Sequence, residues 1–260
     1  MNWHSPIPVP DTHPIDYGAI LLIISVFLLA GMVKGVVGLG LPTIAMGLLT
    51  LSMPPAVAAS LLLFPSLVTN IWQLILGPAF LPLVKRLWTM VLGIIIGTLF
   101  GGLPTLASSA SWTHAALGFV LGAYGIWGLA AKKLPAPGDH EKWLSPLLGY
   151  LTGAITAATG VFVIPAVPYL QSLRLSKEDM VQALGLSFTA STLALALQLY
   201  LASSLQLSDI GFSAMSLIPA LAGMYAGQHL RKVISEATFR RYFFICLIAL
   251  GIYMGLRNVG

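Results

Sequence analysis

Charged side chains are scarce in this chain. Lys, Arg, Asp and Glu make up 8% of the 260 residues, whereas hydrophobic residues make up 57%. A soluble domain ordinarily carries about 25% charged residues, most of them on its surface. Several apolar stretches approach the roughly 20 residues that a helix needs to cross a bilayer. The composition excludes a soluble globular domain and predicts an all-α protein that crosses a membrane several times.

Cysteine and the motifs of common catalytic sites are also lacking. Cys246 is the only cysteine and lies in an apolar stretch, so an internal disulfide is excluded. The carboxylate pairs of an acid/base enzyme, an HExxH metal site, a GxSxG elbow and a Walker loop are all missing. Their absence argues against an intramembrane enzyme and an ATP-driven pump. We therefore expect no enzymatic activity, no cofactor and no metal site.

The excess of basic residues does not indicate nucleic-acid binding. The formal charge is +5, but the 13 Lys and Arg residues are scattered between apolar runs, whereas a nucleic-acid binder gathers them on one face. Basic residues beside membrane spans are typical of cytoplasmic loops. Residues 1–16 contain four prolines and neither Lys nor Arg, unlike a signal peptide. We predict a short periplasmic or extracellular tail there, on a protein of a plasma membrane such as a bacterial inner membrane.

The two halves of the chain resemble each other weakly. The glycines repeat first at an offset of 122 residues and later at one of 126: Gly31 with Gly153, Gly38 with Gly160, Gly97 with Gly223, and Gly101 with Gly227. A steady offset of this kind indicates an internal repeat. We predict a first repeat at residues 17–131, a linker at 132–142 and a second repeat at 143–257.

Basic residues indicate that the two repeats are inverted. In two pairs of corresponding loops, one loop is basic and its counterpart has neither Lys nor Arg: Lys85 and Arg86 against Gln206–Asp209, and Arg231, Lys232, Arg240 and Arg241 against Ala107–Ser111. The positive-inside rule places the members of each pair on opposite sides of the membrane. Both termini are then predicted outside and the linker with Lys132 inside. Inverted repeats are common among secondary transporters.

Each repeat is predicted to hold five membrane elements. Three are ordinary spans, at residues 55–77, 88–106 and 112–131 and at 181–205, 208–230 and 242–256. The other two must fit into Tyr17–Leu51 and Trp143–Gln171, and the second segment is too short for two full spans. Both segments are interrupted by glycine and proline, at Gly35, Gly38, Gly40 and Pro42 and at Gly160 and Pro165. We predict a broken or re-entrant helical pair in each repeat, which is the arrangement that points to a transport site.

Lys34 is the only Lys, Arg, Asp or Glu in the interrupted segments. An ionisable residue inside a membrane segment is costly and is therefore a functional candidate. Because no carboxylate lies near it in the sequence, Lys34 could attract an anionic substrate. The alternative is that its side chain snorkels to the cytoplasmic interface. The sequence leaves both open.

Backbone and polar side chains near the breaks complete the candidate site. Broken helices expose N–H groups that can hold an anion, although glycines also serve close helix packing, as expected for Gly93, Gly97 and Gly101. Hydroxyl and amide groups in the following spans could contact the oxygens of an anion or join helices. The candidate substrate-binding residues are Lys34, Gly35, Gly38, Asn70, Gln73, Thr159, Gly160, Ser191 and Thr192. Thr69 and Asn70 match Ser191 and Thr192 at the offset of 122.

Three stretches resemble the TauE/SafE sulfite exporter family: Lys34-Gly-Val-Val-Gly-Leu-Gly-Leu-Pro, Ala158-Thr-Gly-Val-Phe-Val-Ile-Pro and Gln182-Ala-Leu-Gly-Leu-Ser-Phe-Thr. The resemblance extends to the length and the two-fold repeat. Many relatives carry a richer run of glycines, which Leu39 and Leu41 interrupt here. The resemblance implies transport, mostly outward, of sulfite, sulfonates such as sulfoacetate and related sulfur anions. Distantly similar thiosulfate importers depend on several cysteines, so a single cysteine disfavours that activity.

These observations predict a secondary transporter that exports sulfite or an organosulfonate. An interior-negative potential contributes about 2.3 kcal/mol per 100 mV to each unit of negative charge moved outward. The alternatives are a proton-coupled transporter of another small organic anion and a non-transporting membrane scaffold. The expected partners are the anion and the lipid bilayer, without nucleic acid, and a homodimer remains an option.

Overall fold

The computed structural model describes residues 17–107, 110–130, 134–205 and 207–257. These residues form α-helices and one short 3-10 turn, with no strand among them: α1 (Tyr17–Val37), α2 (Leu41–Leu49), α3 (Pro55–Ile75), α4 (Phe80–Phe100), α5 (Ala110–Ala130), α6 (Glu141–Thr159), α7 (Ala166–Ser172), α8 (Lys177–Leu201), α9 (Leu207–Val233) and α10 (Glu236–Arg257). The tail at residues 1–16, Lys132 and Lys133 of the linker, and Gln206 lie outside the described residues.

The helices have the length and surface of membrane spans. By length and composition, α1, α3, α4, α5, α8 and α10 are each able to cross a membrane. Large apolar side chains on the outer faces are open to the surroundings, and Phe100, Phe119 and Ile218 are each more than 70% exposed. A soluble protein of this size rarely exposes large continuous apolar patches. The prediction of an all-α membrane protein is confirmed.

Several helices begin earlier than the sequence predicts. The second span starts at Phe80 instead of residue 88, so Lys85 and Arg86 lie in the first turns of α4 instead of a loop. Likewise α10 starts at Glu236 instead of 242, so it includes Arg240 and Arg241. The expected loop boundaries were wrong because helices continue past the apolar core into the polar interface, where charged side chains are tolerated. The sidedness of these residues, and with it the inverted topology, stays a prediction.

Both predicted helix breaks are confirmed. Gly38 and Gly40 follow α1 with φ angles of 82° and 107°, a left-handed conformation that favours glycine. Gly160 ends α6 with φ 70°, and Pro165 precedes α7. The short helices after the breaks have nine residues in α2 and seven in α7, too few to span a bilayer. Gly35, which the sequence assigns to the first break, lies within α1.

Glycines bring two helix pairs into close contact. Gly31 of α1 lies against the Ala220 backbone of α9, and Gly223 of α9 lies against the Leu28 backbone of α1. In the same way Gly97 of α4 faces the backbone of α6. Small residues at helix interfaces allow this approach in membranes, where helix association depends on close packing. The packing role predicted for Gly97 is therefore confirmed, and Gly93 also faces α6.

The helix contacts follow a regular pattern. α1 packs on α9 and α4 on α6, while α3 contacts both α8 and α9, α4 also contacts α8, and α5 packs on α10. If α1 to α5 are exchanged in order for α6 to α10, the pair α1 with α9 becomes α4 with α6, and the pair α3 with α9 becomes α4 with α8. The pairs α3 with α8 and α5 with α10 map onto themselves. A repeat related by a two-fold axis produces this pattern. The pattern thus agrees with the predicted repeat, and the contact between α3 and α8 joins the two halves of the chain.

Candidate functional site

Lys34 lies in the last turn of α1, immediately before the first break. Its side chain is 3% exposed, and its Nζ donates hydrogen bonds to Thr69 Oγ1 at 2.9 Å and to Asn70 Oδ1, both on α3. The ammonium therefore points into the protein and contacts a neighbouring helix. A side chain that snorkels would extend outward along the surface of its helix, and the Lys34 side chain does not.

The charge of Lys34 has no counter-ion among the described residues, where no carboxylate forms an ion pair with it. An ammonium group has three N–H donors, and two of them bind Thr69 and Asn70. Burial of an unpaired charge costs roughly several kcal/mol of free energy, and hydrogen bonds to neutral groups offset only part of that cost. A bound anion would therefore stabilise the protonated form of Lys34.

A proline lies in α3 one turn before the residues that bind Lys34. Pro65 has no N–H and leaves the carbonyl of Leu61 without its helical donor. Ser213 of α9 occupies that place, because its Oγ donates to Leu61 O at 2.8 Å and accepts from Phe64 N at 3.1 Å. The Thr69 hydroxyl donates back to Pro65 O at 2.7 Å. Its lone pairs thus stay available to the Lys34 ammonium.

Asn70 connects this group to the second half of the chain. Its Nδ2 donates to Thr192 Oγ1 of α8 at 3.4 Å, and the Thr192 hydroxyl donates to Phe188 O at 2.7 Å. We call Lys34, Thr69, Asn70 and Thr192 the Lys34 cluster. All of its members are at most 3% exposed. Asn70 and Thr192 are 122 positions apart, so two matched positions of the repeat contact each other, as residues on a two-fold axis do.

Gln73 and Gly38 form an edge of the site at the first break. Gln73 Nε2 donates to the Gly38 carbonyl at 2.7 Å, while Gln73 Oε1 is buried without a hydrogen-bond partner among the described residues. A Cβ at Gly38 would meet no atom within 4 Å. The backbone of the break therefore borders open space. Ser191, beside Thr192, likewise has a buried hydroxyl without a partner in the described part of the chain.

The remaining candidates have other surroundings. Thr159 Oγ1 donates to Ile155 O at 2.7 Å and accepts from Val161 N at 3.2 Å, so it stabilises the end of α6. Gly160 lies against the Met46 side chain of α2, and Gly35 lies against the backbone of α9. No hydrogen bond in the described residues joins Thr159 to the Lys34 cluster. Local structure thus accounts for these three residues, and their role toward a substrate stays a prediction.

Two residues near the site were not predicted from the sequence. Gln182 of α8 accepts from Ala79 N at 2.8 Å and donates to Leu74 O at 2.7 Å and Gly77 O at 2.9 Å. It thereby holds the turn between α3 and α4. Ser213 compensates for Pro65, as described above. A proline within a predicted span is the sequence signal that such a partner is needed, because the freed carbonyl must find another donor.

A sequence model described as "Sulfite exporter TauE/SafE" matches residues 23–254, from α1 to α10. The chain belongs to the TauE/SafE sulfite exporter family. Membership of this family makes it a multi-pass membrane protein that transports sulfite-type anions. The comparisons find no significant match to a curated protein or to a solved structure.

Proposed function

We propose that this protein exports sulfite or an organosulfonate such as sulfoacetate by secondary transport across the plasma membrane. The observation that carries this proposal is the buried Lys34 ammonium, which lies beside a helix break and has no carboxylate partner in the part of the chain that the structure describes. An ionisable residue in such a place marks a functional site by default, and substrate pathways are among the roles of such residues. Membership of the TauE/SafE family supports the choice of a sulfur anion.

The chemistry of the site suits an oxyanion with a small head. Sulfite and sulfonates carry three oxygens on one sulfur, and charge-assisted hydrogen bonds to such oxygens are roughly twice as strong as neutral ones. In our proposal the third N–H of Lys34 binds one oxygen. The amide groups of Asn70 and Gln73 and the hydroxyl of Ser191 contact the others. The Thr192 hydroxyl joins them by rotating away from Phe188 O. The backbone at Gly38 leaves the space that the anion needs.

The helix arrangement supports alternating access between two halves. α1 with α9 and α4 with α6 form two matched pairs around the contact of α3 with α8. Movement of one repeat relative to the other around a fixed central site is a general mechanism of secondary transporters. We propose that the Lys34 cluster is that site. Export agrees with the membrane potential, which favours outward movement of a net negative charge by about 2.3 kcal/mol per 100 mV.

The proposal can be tested with the purified full-length protein in liposomes. Efflux of sulfite, sulfoacetate, acetate and succinate is measured separately under an imposed potential. We expect efflux of one or both sulfur anions, and Lys34→Met should abolish most of it. Lys142→Met is the matched control, because Lys142 is exposed at the start of α6. Equal efflux from the Lys34→Met and control proteins would remove Lys34 from the mechanism, and efflux of carboxylates alone would refute the substrate class.

A further inference from the structure

A basic cleft lies at the end of α5 and the start of α10, and it includes no residue of the Lys34 cluster. Its volume is about 820 Å³. The cleft is lined by side chains and backbone of these two helices: Gly128, Leu129, Ala237, Arg240, Arg241, Phe244 and Ile245. Because it opens at the ends of two spans, it lies where a membrane protein meets lipid headgroups.

Two guanidinium groups give the cleft its charge. Arg240 is partly buried and lies over the Phe244 ring, with its Cζ 5.8 Å from the ring centroid, and Arg241 is exposed. Gly128 makes room for this arrangement, since a Cβ there would overlap the Phe244 ring. Neither arginine forms an ion pair with a carboxylate whose side chain the structure describes. The aromatic ring thus holds Arg240 in place while the donors of both guanidinium groups stay available to an anion.

The other walls of the cleft are apolar and face outward. Leu129 is 39% exposed and Ile245 is 44% exposed. A hydrophilic anion gains nothing from such walls, whereas the acyl chain of a lipid covers them. The volume of the cleft also favours a lipid over a small inorganic anion. A water molecule takes about 30 Å³, so an anion of similar size would fill only a small part of the cleft.

The surrounding sequence is strongly basic. Lys132 and Lys133 follow α5, and Arg231 and Lys232 close α9 shortly before α10 begins. This is the end of the molecule that the positive-inside rule predicts to be cytoplasmic. The cytoplasmic leaflet carries the anionic lipids, and basic pockets between spans on that side suit their headgroups.

We propose that this cleft binds the phosphate headgroup of an anionic phospholipid. Arg240 and Arg241 donate to the phosphodiester oxygens, for which the planar fork of arginine is well shaped. The first acyl carbons lie along Leu129 and Ile245. A lipid held there would join the end of α5 to the start of α10. This inference does not depend on which anion the protein transports.

Native mass spectrometry of the full-length protein tests the proposal. The detergent-solubilised protein is titrated separately with phosphatidylglycerol, phosphatidylcholine and inorganic phosphate. We expect tight binding of phosphatidylglycerol only. Loss of one arginine should weaken it about fivefold and loss of both about 30-fold. The test variants are Arg240→Gln, Arg241→Gln and the double variant. Arg257→Gln is the matched control, because it removes the same charge at the other end of α10.

The outcomes separate a lipid site from its alternatives. Weaker phosphatidylglycerol binding in the double variant, with unchanged binding in Arg257→Gln, supports the site. A variant with Arg240→Lys and Arg241→Lys should bind phosphatidylglycerol with an affinity between those of the wild type and the double glutamine variant. It keeps both positive charges but loses the planar guanidinium groups. Equal binding of phosphatidylglycerol and phosphatidylcholine would contradict the proposal. So would binding of inorganic phosphate at an affinity similar to that of phosphatidylglycerol, which would identify a site for free anions.

Discussion

The two helix breaks match in sequence and backbone but differ in chemistry. Gly38 and Gly160 both adopt positive φ angles and are each followed by a short buried helix. At the first break Lys34 contributes a buried charge, while its counterpart at the offset of 122 is Thr156, whose hydroxyl only donates to its own helix at Thr152 O. The first break borders open space, whereas Gly160 is packed against Met46.

This difference shows how a repeat can produce a site that is not symmetric. The shared glycines set the geometry of both breaks, and the contact between α3 and α8 brings the two halves together. In our proposal one half supplies the charge to the substrate and the other supplies the hydroxyl groups of Ser191 and Thr192. A single Lys34 ammonium would then attract one anion at a time. A second lysine at position 156 would add like-charge repulsion at the same depth.

The comparison of the two breaks predicts the largest effect on anion binding at the matched positions 34 and 156, which differ in charge. Lys34→Met should weaken sulfite or sulfonate binding about 10- to 150-fold, because a charge-assisted hydrogen bond in the interior contributes about 1.5 to 3 kcal/mol. Thr156→Val should change the affinity less than about twofold, since its hydroxyl bonds only within α6. Both affinities are measured by titration calorimetry on the purified proteins. Similar losses in the two variants would contradict the assignment of the charge to one half.

A smaller effect is expected when the charge is kept and its shape is changed. Lys34→Arg retains the positive charge, but a planar fork does not replace a compact ammonium held by Thr69 and Asn70. We expect anion efflux between that of the wild type and that of Lys34→Met, measured in liposomes with equal amounts of folded protein. Full activity of the arginine variant would show that only the charge matters. If the arginine variant is folded but as inactive as Lys34→Met, the geometry of the ammonium group matters more than its charge.

The sequence predicted the helix breaks and missed much of the packing around them. Gly38 and Gly160 could be identified because a positive φ angle is a local property of the backbone. The fate of Lys34 could not be decided, since it depends on Thr69 and Asn70, 35 and 36 positions away. Ser213 is farther still from the carbonyl it satisfies, at a separation of 152 residues. Local signals thus revealed where the chain is interrupted, whereas distant contacts decide which interruption becomes a site.

The two glycines of the breaks should respond differently to an added methyl group. Alanine at either position adopts a left-handed conformation at a cost of about 1 to 2 kcal/mol. Gly160→Ala should lose about 1 kcal/mol more, because the fully buried Met46 must shift. The methyl group of Gly38→Ala contacts no atom, so this variant should lose less stability than Gly160→Ala. It should lose more efflux per folded molecule, because the methyl group occupies the open space at the first break. Chemical denaturation in detergent measures the stability, and liposome assays measure the efflux. A larger loss of stability in Gly38→Ala together with a larger loss of efflux in Gly160→Ala would refute the comparison of open and packed breaks.

The smallest expected effect concerns the helices that follow the breaks. Pro65 interrupts α3, while its counterpart in α8 at the offset of 122 is Ser187, so only α3 needs Ser213 to satisfy a freed carbonyl. Ser213→Ala should lower the free energy of unfolding by about 1 kcal/mol, near the usual range for a hydrogen bond between membrane helices. Adding Pro65→Ala should recover most of that loss, because residue 65 regains an N–H that can bind Leu61 O within α3. Denaturation of the single and double variants in detergent gives both values. Additive losses in the double variant would mean that Ser213 stabilises the protein by packing and not by replacing the missing donor of Pro65.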